Sequence, residues 1–178
     1  DLDNITHVTQ DTRQIHADSG SLYVAFKGEN HDGHDFLGKA AAQGARAALV
    51  SRVDASVNLP QLQVANTLTA LQNLGAAWRA QFDLPVMGLT GSNGKTTSKE
   101  MIASICRERW TNVLATHGNL NNHIGVPLTL CRLTAQHEAA VIEMGASAAG
   151  EIALLASLAR PHIGLITQAG DAHLEGFG

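Results

Sequence analysis

Eight consecutive residues, Thr90-Gly91-Ser92-Asn93-Gly94-Lys95-Thr96-Thr97, hold the densest potential chemistry in the chain, because they stand between an apolar strand-like run and a helix-like run. That placement suits a loop that binds nucleotide phosphates. Such a loop must aim several backbone N–H groups at one point, and glycine lets the chain turn and approach that closely. Gly91, Ser92, Asn93 and Gly94 therefore read as the turn, and the following helix adds its N-terminal partial charge. Lys95 supplies a point charge for the outer phosphates, and the hydroxyl of Thr96, followed by Thr97, can join the coordination sphere of Mg2+. The strict G-x-x-x-x-G-K-[ST] pattern is not met, since Leu89 occupies the position of its first glycine and Gly88 lies one residue earlier. The Gly-Lys-Thr-Thr core is intact.

Other polar residues fall where the same chemistry would need them. Glu143 closes the apolar run 139–142, and a carboxylate at a strand end near a phosphate loop can reach a hard divalent cation. His173 sits in the glycine-rich stretch 170–178, where spacing alone favours a structural histidine over a ligand. His31 and His34 are spaced like a metal pair but have no further ligands nearby, so they read as ordinary solvated histidines. Ser92, His117 and Asp171 suggest a hydrolase triad only superficially, and they read as turn and loop residues.

The elements that must position these groups form two blocks, with a boundary expected near Asp83-Leu84-Pro85. The first is a small α/β unit: an alternating strand over 21–27, an Ala-rich helix over 36–43 and a strand over 47–51. A helix over 67–82 carries Leu68, Leu71, Leu74, Trp78 and Phe82 at helical spacing and is stopped by Pro85. The second block alternates strands over 86–90, 112–115, 139–144 and 163–167 with helices over 95–109, 124–133 and 151–158. The first of those helices carries Met101, Ile102, Ile105 and Cys106 on one face. Such repetition predicts an α/β fold with a parallel sheet, whose ligands bind beyond the carboxyl ends of the strands.

Composition sets the outer limits. A chain of 178 residues holds one ordinary domain or two small ones, and 44% apolar with 16% charged residues suits a globular core. A net charge of −4 leaves no basic stripe for a nucleic-acid backbone, so no nucleic-acid partner is expected. No apolar stretch approaches the roughly 20 residues needed to cross a bilayer, and no basic-then-apolar leader opens the chain. A cytoplasmic monomer without membrane contact is the expectation. Cys106 and Cys131 lack a Cys-x-x-Cys spacing and read as buried free thiols.

Taken together, residues 90–97, Glu143-Met144-Gly145 and residues 172–178 resemble the ATP-dependent Mur ligases of bacterial peptidoglycan synthesis. Within that family, residues 118–127 are similar to the branch that adds D-alanyl-D-alanine to UDP-N-acetylmuramoyl-tripeptide. Asp11-Thr12-Arg13, residues 22–28, 32–36 and 41–45 resemble the family's uridine-binding domain. The resemblance implies a UDP-substrate-binding domain over 1–83 and the N-terminal part of a phosphate-loop ATP domain over 84–178. It implies that residues 91–97 cradle ATP, that Thr96, Glu143 and His173 hold Mg2+, and that Lys95, Glu143 and His173 serve catalysis. It also implies that Asn119 and Asn122 face the muramoyl-peptide and that Thr12 and Arg13 lie near the uracil. Gln168, where many members carry Asn, and His123, where an acidic residue is common, depart from the pattern.

The implied reaction is amide formation through an acyl phosphate, which needs charge neutralisation rather than a protein nucleophile. Resembling enzymes continue past the motif at residues 172–178, so the expectation is a parent ligase of which this stretch alone is inactive. Three alternatives stay open: the tripeptide-forming Mur ligase, another phosphate-loop ligase such as folylpolyglutamate synthetase, and a non-catalytic nucleotide-binding module.

Overall fold

The computed structural model describes residues 5–17 and 19–170. The chain divides into two compact units, Asp1–Leu71 and Gln72–Gly178.

The first unit is built on a parallel sheet of β1 (His7–Thr9), β2 (Ser21–Val24), β3 (Ala47–Val50) and β4 (Gln61–Gln63), hydrogen-bonded in chain order. Every residue of β2 and β3 is buried, so the alternation expected over 21–27 is not what the strand uses. Central strands of a parallel sheet are apolar along their whole length. β2 also stops at Val24, because the chain then folds into a tight turn closed by an antiparallel bridge between Lys27 and Asp32. Gly33 N–H donates to Phe26 O at 2.6 Å, and a Cβ on Gly33 would stand 2.8 Å from that backbone. The helix expected over 36–43 begins as a 3-10 turn, Gly33–Phe36, and continues as α1, Leu37–Ala42. Ile15, Tyr23, Leu37, Ala48 and Val50 lie at the centre of the core.

The second unit has the expected strand and helix alternation. Helix α2 (Thr67–Arg79) enters it and is followed by β5 (Val86–Thr90), α3 (Lys95–Arg109), β6 (Val113–Ala115), α4 (Gly125–Leu130), β7 (Ala139–Glu143), α5 (Glu151–Ala159) and β8 (Ile163–Ile166). All strands are parallel, in the order β6-β7-β5-β8. The order therefore reverses at β5, and open α/β sheets form their ligand crevice at such a point.

Two helices bury faces other than those their apolar spacing suggests. On α2 the buried positions are Thr67, Leu71, Gly75 and Arg79, while Leu74 and Trp78 are 37% and 43% exposed. Gly75 allows a close approach to Pro127, where a Cβ would come within 2.9 Å. Arg79 is buried because its guanidinium donates to Ala159 O at the end of α5 and to Phe82 O. These bonds tie the second half of α2 to its own unit, so the division falls inside the helix and ahead of Asp83. On α3 the sheet-facing stripe is Lys99, Ala103 and Cys106, leaving Met101 and Ile105 exposed. Cys106 and Cys131 are free thiols, and burial pushes the Cys131 thiol up to about 12. Among the described residues no helix is long and apolar enough to cross a membrane.

Candidate active site

The site grows from the end of β5. Gly91 has φ +143°, and a Cβ there would collide with the Thr167 hydroxyl and the Gln168 backbone. Gly94 adopts the left-handed region at φ +78° and opens α3 without a side-chain cap, so the first N–H groups of that helix stay free for an anion. Between them the loop is tied to the chain just beyond β8. Ser92 N–H donates to Gln168 O (2.8 Å), Ser92 Oγ donates to Gly170 O (2.8 Å), and Thr167 Oγ1 donates to Asn93 O (2.6 Å). Gln168 thus takes part through its backbone, so its departure from the family pattern leaves this loop contact unchanged. Lys95 folds back over the loop, with Nζ donating to Gly91 O (2.5 Å) and Ser92 O (3.2 Å).

Glu143, the last residue of β7, is 1% exposed and stands beside this loop. Its Oε1 accepts from Thr96 Oγ1 at 3.3 Å and from Asn121 Nδ2 at 2.8 Å. Its Oε2 is buried and has no hydrogen-bond partner. A buried carboxylate oxygen without a donor is expensive unless a cation or donor completes it. An oxygen pair from Thr96 and Glu143 at the uncapped start of α3 has the chemistry that suits Mg2+, a hard cation that takes one or two carboxylates together with phosphate oxygens. The Glu143 backbone N–H donates to Thr116 Oγ1 (2.9 Å), which fixes where β7 ends.

A cavity of about 270 Å3 opens beside Lys95, lined also by Asn121, Asn122, His123, Gly145 and Ser147. Gly145 N–H donates to Asn121 O at 2.8 Å, joining the asparagine segment to the end of β7. The paired asparagines take separate tasks. Asn122 Oδ1 accepts from Ile124 N–H (3.1 Å) and Gly125 N–H (2.8 Å) and so caps the start of α4. Asn121, absent from the expected set, is the one that holds Glu143. Asn119 is exposed and does not line the cavity. Thr116, whose hydroxyl accepts from the Glu143 N–H, is a further neighbour of the carboxylate that spacing does not reveal.

The described geometry brings Lys95, Thr96 and Glu143 together, with Asn122 on the cavity wall. His173, like Asp171, lies outside the described residues. Thr12 and Arg13 belong to the first unit. There Thr12 is buried, and the Arg13 guanidinium donates to Asp11 through Nε (2.9 and 3.0 Å) and Nη2 (2.7 Å), which holds the Asp11 carboxyl below its ordinary value. His34 is not a solvated histidine. It is buried, its Nδ1 faces Asp32 Oδ1 at 2.6 Å, and its Nε2 accepts from Ser51 N–H at 3.0 Å. That bonding assigns a neutral ring with the proton on Nδ1.

Two family descriptions match this chain: "Mur ligase family, catalytic domain" over residues 4–79 and "Mur ligase middle domain" over residues 89–178. The chain belongs to the Mur ligase family. Among curated Mur ligases it is 52% identical over 171 residues to the UDP-N-acetylmuramoyl-tripeptide--D-alanyl-D-alanine ligase of Escherichia coli (strain K12), covering 96% of this chain and 37% of that protein. The Synechocystis enzyme of the same name is 44% identical over 172 residues, with 96% and 37% covered. A crystal structure of MurF from Acinetobacter baumannii superposes with a TM-score of 0.87 at 42% identity, covering 96% of this chain and 37% of that one. MurF from Thermotoga maritima in complex with ADP gives 0.83 at 32% identity, covering 96% and 39%. The chain thus spans about 37% of the length of these curated relatives.

Proposed function

We propose that the complete protein is the ATP-dependent ligase that joins D-alanyl-D-alanine to UDP-N-acetylmuramoyl-tripeptide. The observation that carries the chemistry is the buried Glu143 oxygen left without a partner beside Thr96, at the end of a glycine-rich loop and an uncapped helix. The substrates follow from the relatives, which bear that name over 96% of this chain.

In this reading residues 91–97 wrap the ATP phosphates. Lys95 exchanges its loop carbonyls for the outer phosphate oxygens, where its charge opposes the negative charge that develops during transfer. Thr96 and Glu143, with His173, hold Mg2+, which when bound would neutralise the phosphate oxygens. The tripeptide carboxylate takes the terminal phosphoryl group, the amine of D-alanyl-D-alanine attacks the acyl phosphate, and phosphate leaves as the amide forms. Asn119 and Asn122 face the muramoyl-peptide. The first unit binds the UDP end through Thr12 and Arg13, and the second unit serves ATP.

The test follows phosphate release by the full-length protein with ATP, magnesium and UDP-MurNAc-tripeptide. Release that needs D-alanyl-D-alanine is the expected result. Release that instead requires the shorter UDP-MurNAc-dipeptide and a free amino acid would move the protein to the tripeptide-forming branch.

A further inference from the structure

Along the sheet-facing stripe of α3, Ala103 and Cys106 are the residue types a core demands, and Lys99 is not. It is 1% exposed, among the largest fully buried side chains of the chain. It lies one helical turn beyond Lys95, on the same side of the helix. Burying an ammonium is costly where an apolar side chain would serve, so its retention asks for a task. Its Nζ donates to Thr116 O at 2.8 Å and pairs with Glu100 Oε1 at 2.7 Å. The second partner is exposed, and exposed pairs contribute little. The first is the informative one.

Thr116 follows β6 directly, and it is buried. Its N–H donates to Val141 O (3.0 Å), and its hydroxyl accepts from Glu143 N–H (2.9 Å). From Thr116 the chain runs through residues 117–120 to Asn121, whose amide holds Glu143 Oε1. One carbonyl therefore anchors both the backbone and the side-chain support of Glu143. We infer that Lys99 is a positioning residue: its buried ammonium clamps the Thr116 carbonyl and thereby sets the Asn121 segment and the Glu143 carboxylate in register for a divalent cation. The step from that register to a magnesium requirement rests on the proposed ligase reading, whereas the clamp itself does not.

The experiment compares full-length wild type, Lys99→Met, which fills the same space without a donor, and Lys99→Gln, which keeps an N–H on a shorter chain. Hydrogen–deuterium exchange is read first, without nucleotide or metal. In Lys99→Met, residues 116–122 should exchange about tenfold faster while residues 86–90 are unchanged, with Lys99→Gln in between. Magnesium titration of phosphate release is read second, and half-saturation should rise about tenfold in Lys99→Met, as for loss of a group that supports a metal ligand. A merely structural lysine would lower the melting temperature and leave both readouts alone, and that result overturns the inference. If Lys99→Met does not fold, Lys99→Gln decides, with about threefold changes expected in both measurements and none overturning the clamp. A wild type that releases no phosphate contradicts the ligase reading, and the exchange measurement still judges the clamp.

Discussion

The two parallel sheets place polar residues beyond their strands and use them in opposite ways. In the first, strand order follows chain order, and the polar groups close on one another. Asp32 accepts from His34, Ser51 N–H donates to His34, and Arg52 reaches Asp32 at 3.2 Å. In the second, the order reverses at β5, and the carboxylate at the end of β7 keeps one oxygen without a partner. The first unit also has an unpartnered buried atom, Gln43 Oε1, but a neutral amide oxygen is far cheaper to leave unmatched than a carboxylate oxygen. The contrast shows that a buried polar cluster signals a ligand when it is left incomplete, and a fold pin when its members satisfy each other.

Breaking the second site should have the largest effect. Lys95→Ala is expected to fold normally and to reduce phosphate release by the full-length protein on the order of a hundredfold, about 3 kcal/mol. Near-normal turnover would remove the phosphate-loop role. Glu143→Gln keeps shape and the Asn121 segment but loses the charge, so activity should drop roughly ten- to a hundredfold and recover in part at high magnesium. Identical magnesium curves for mutant and wild type would make Glu143 a structural residue.

The pin in the first unit should answer in stability instead. His34→Ala leaves Ser51 N–H without its acceptor and should destabilise that unit by about 2 kcal/mol, read from exchange of residues 47–51 in rising urea. Unchanged protection there would show that the histidine pins nothing. The Asp32 carboxyl is held below its ordinary value by the His34 backbone N–H, then by the His34 ring. A lowered carboxyl stabilises the fold above its unfolded value of about 3.9 and loses that contribution as pH falls through the folded value. Asp32→Asn should therefore flatten the loss of stability between pH 5 and more acidic conditions, and an unaltered acid limb would assign it to other carboxylates. The smallest effect is expected from Arg13→Lys. Lysine cannot reproduce the fork on Asp11, so calorimetry should show a few-fold weaker UDP-MurNAc-tripeptide and unchanged ATP. Equal losses for both ligands would erase the division of labour between the units.

Much of this is local and so can be read from the chain itself. Glycines, a lysine and hydroxyls in one short run dictate a phosphate loop, because backbone freedom and the helix start are properties of adjacent residues. The strands of the second sheet, β5 to β8, are each apolar enough to be found within a residue or two of their ends, and Glu143 is visible because it breaks such a run. Helix faces are less legible. On α2 the apolar residues Leu74 and Trp78 suggest one buried side, yet Gly75 against Pro127 and Arg79 on the end of α5 select another, and on α3 the buried stripe of Lys99, Ala103 and Cys106 leaves Met101 and Ile105 exposed. Only the tertiary structure decides that Asn121 supports Glu143 while Asn122 caps a helix, that His34 is buried and neutral, and that Lys99 lies under the end of β6. Each of these depends on a partner far along the chain, and spacing within one element carries no information about which distant carbonyl, amide or carboxylate the fold will bring beside it.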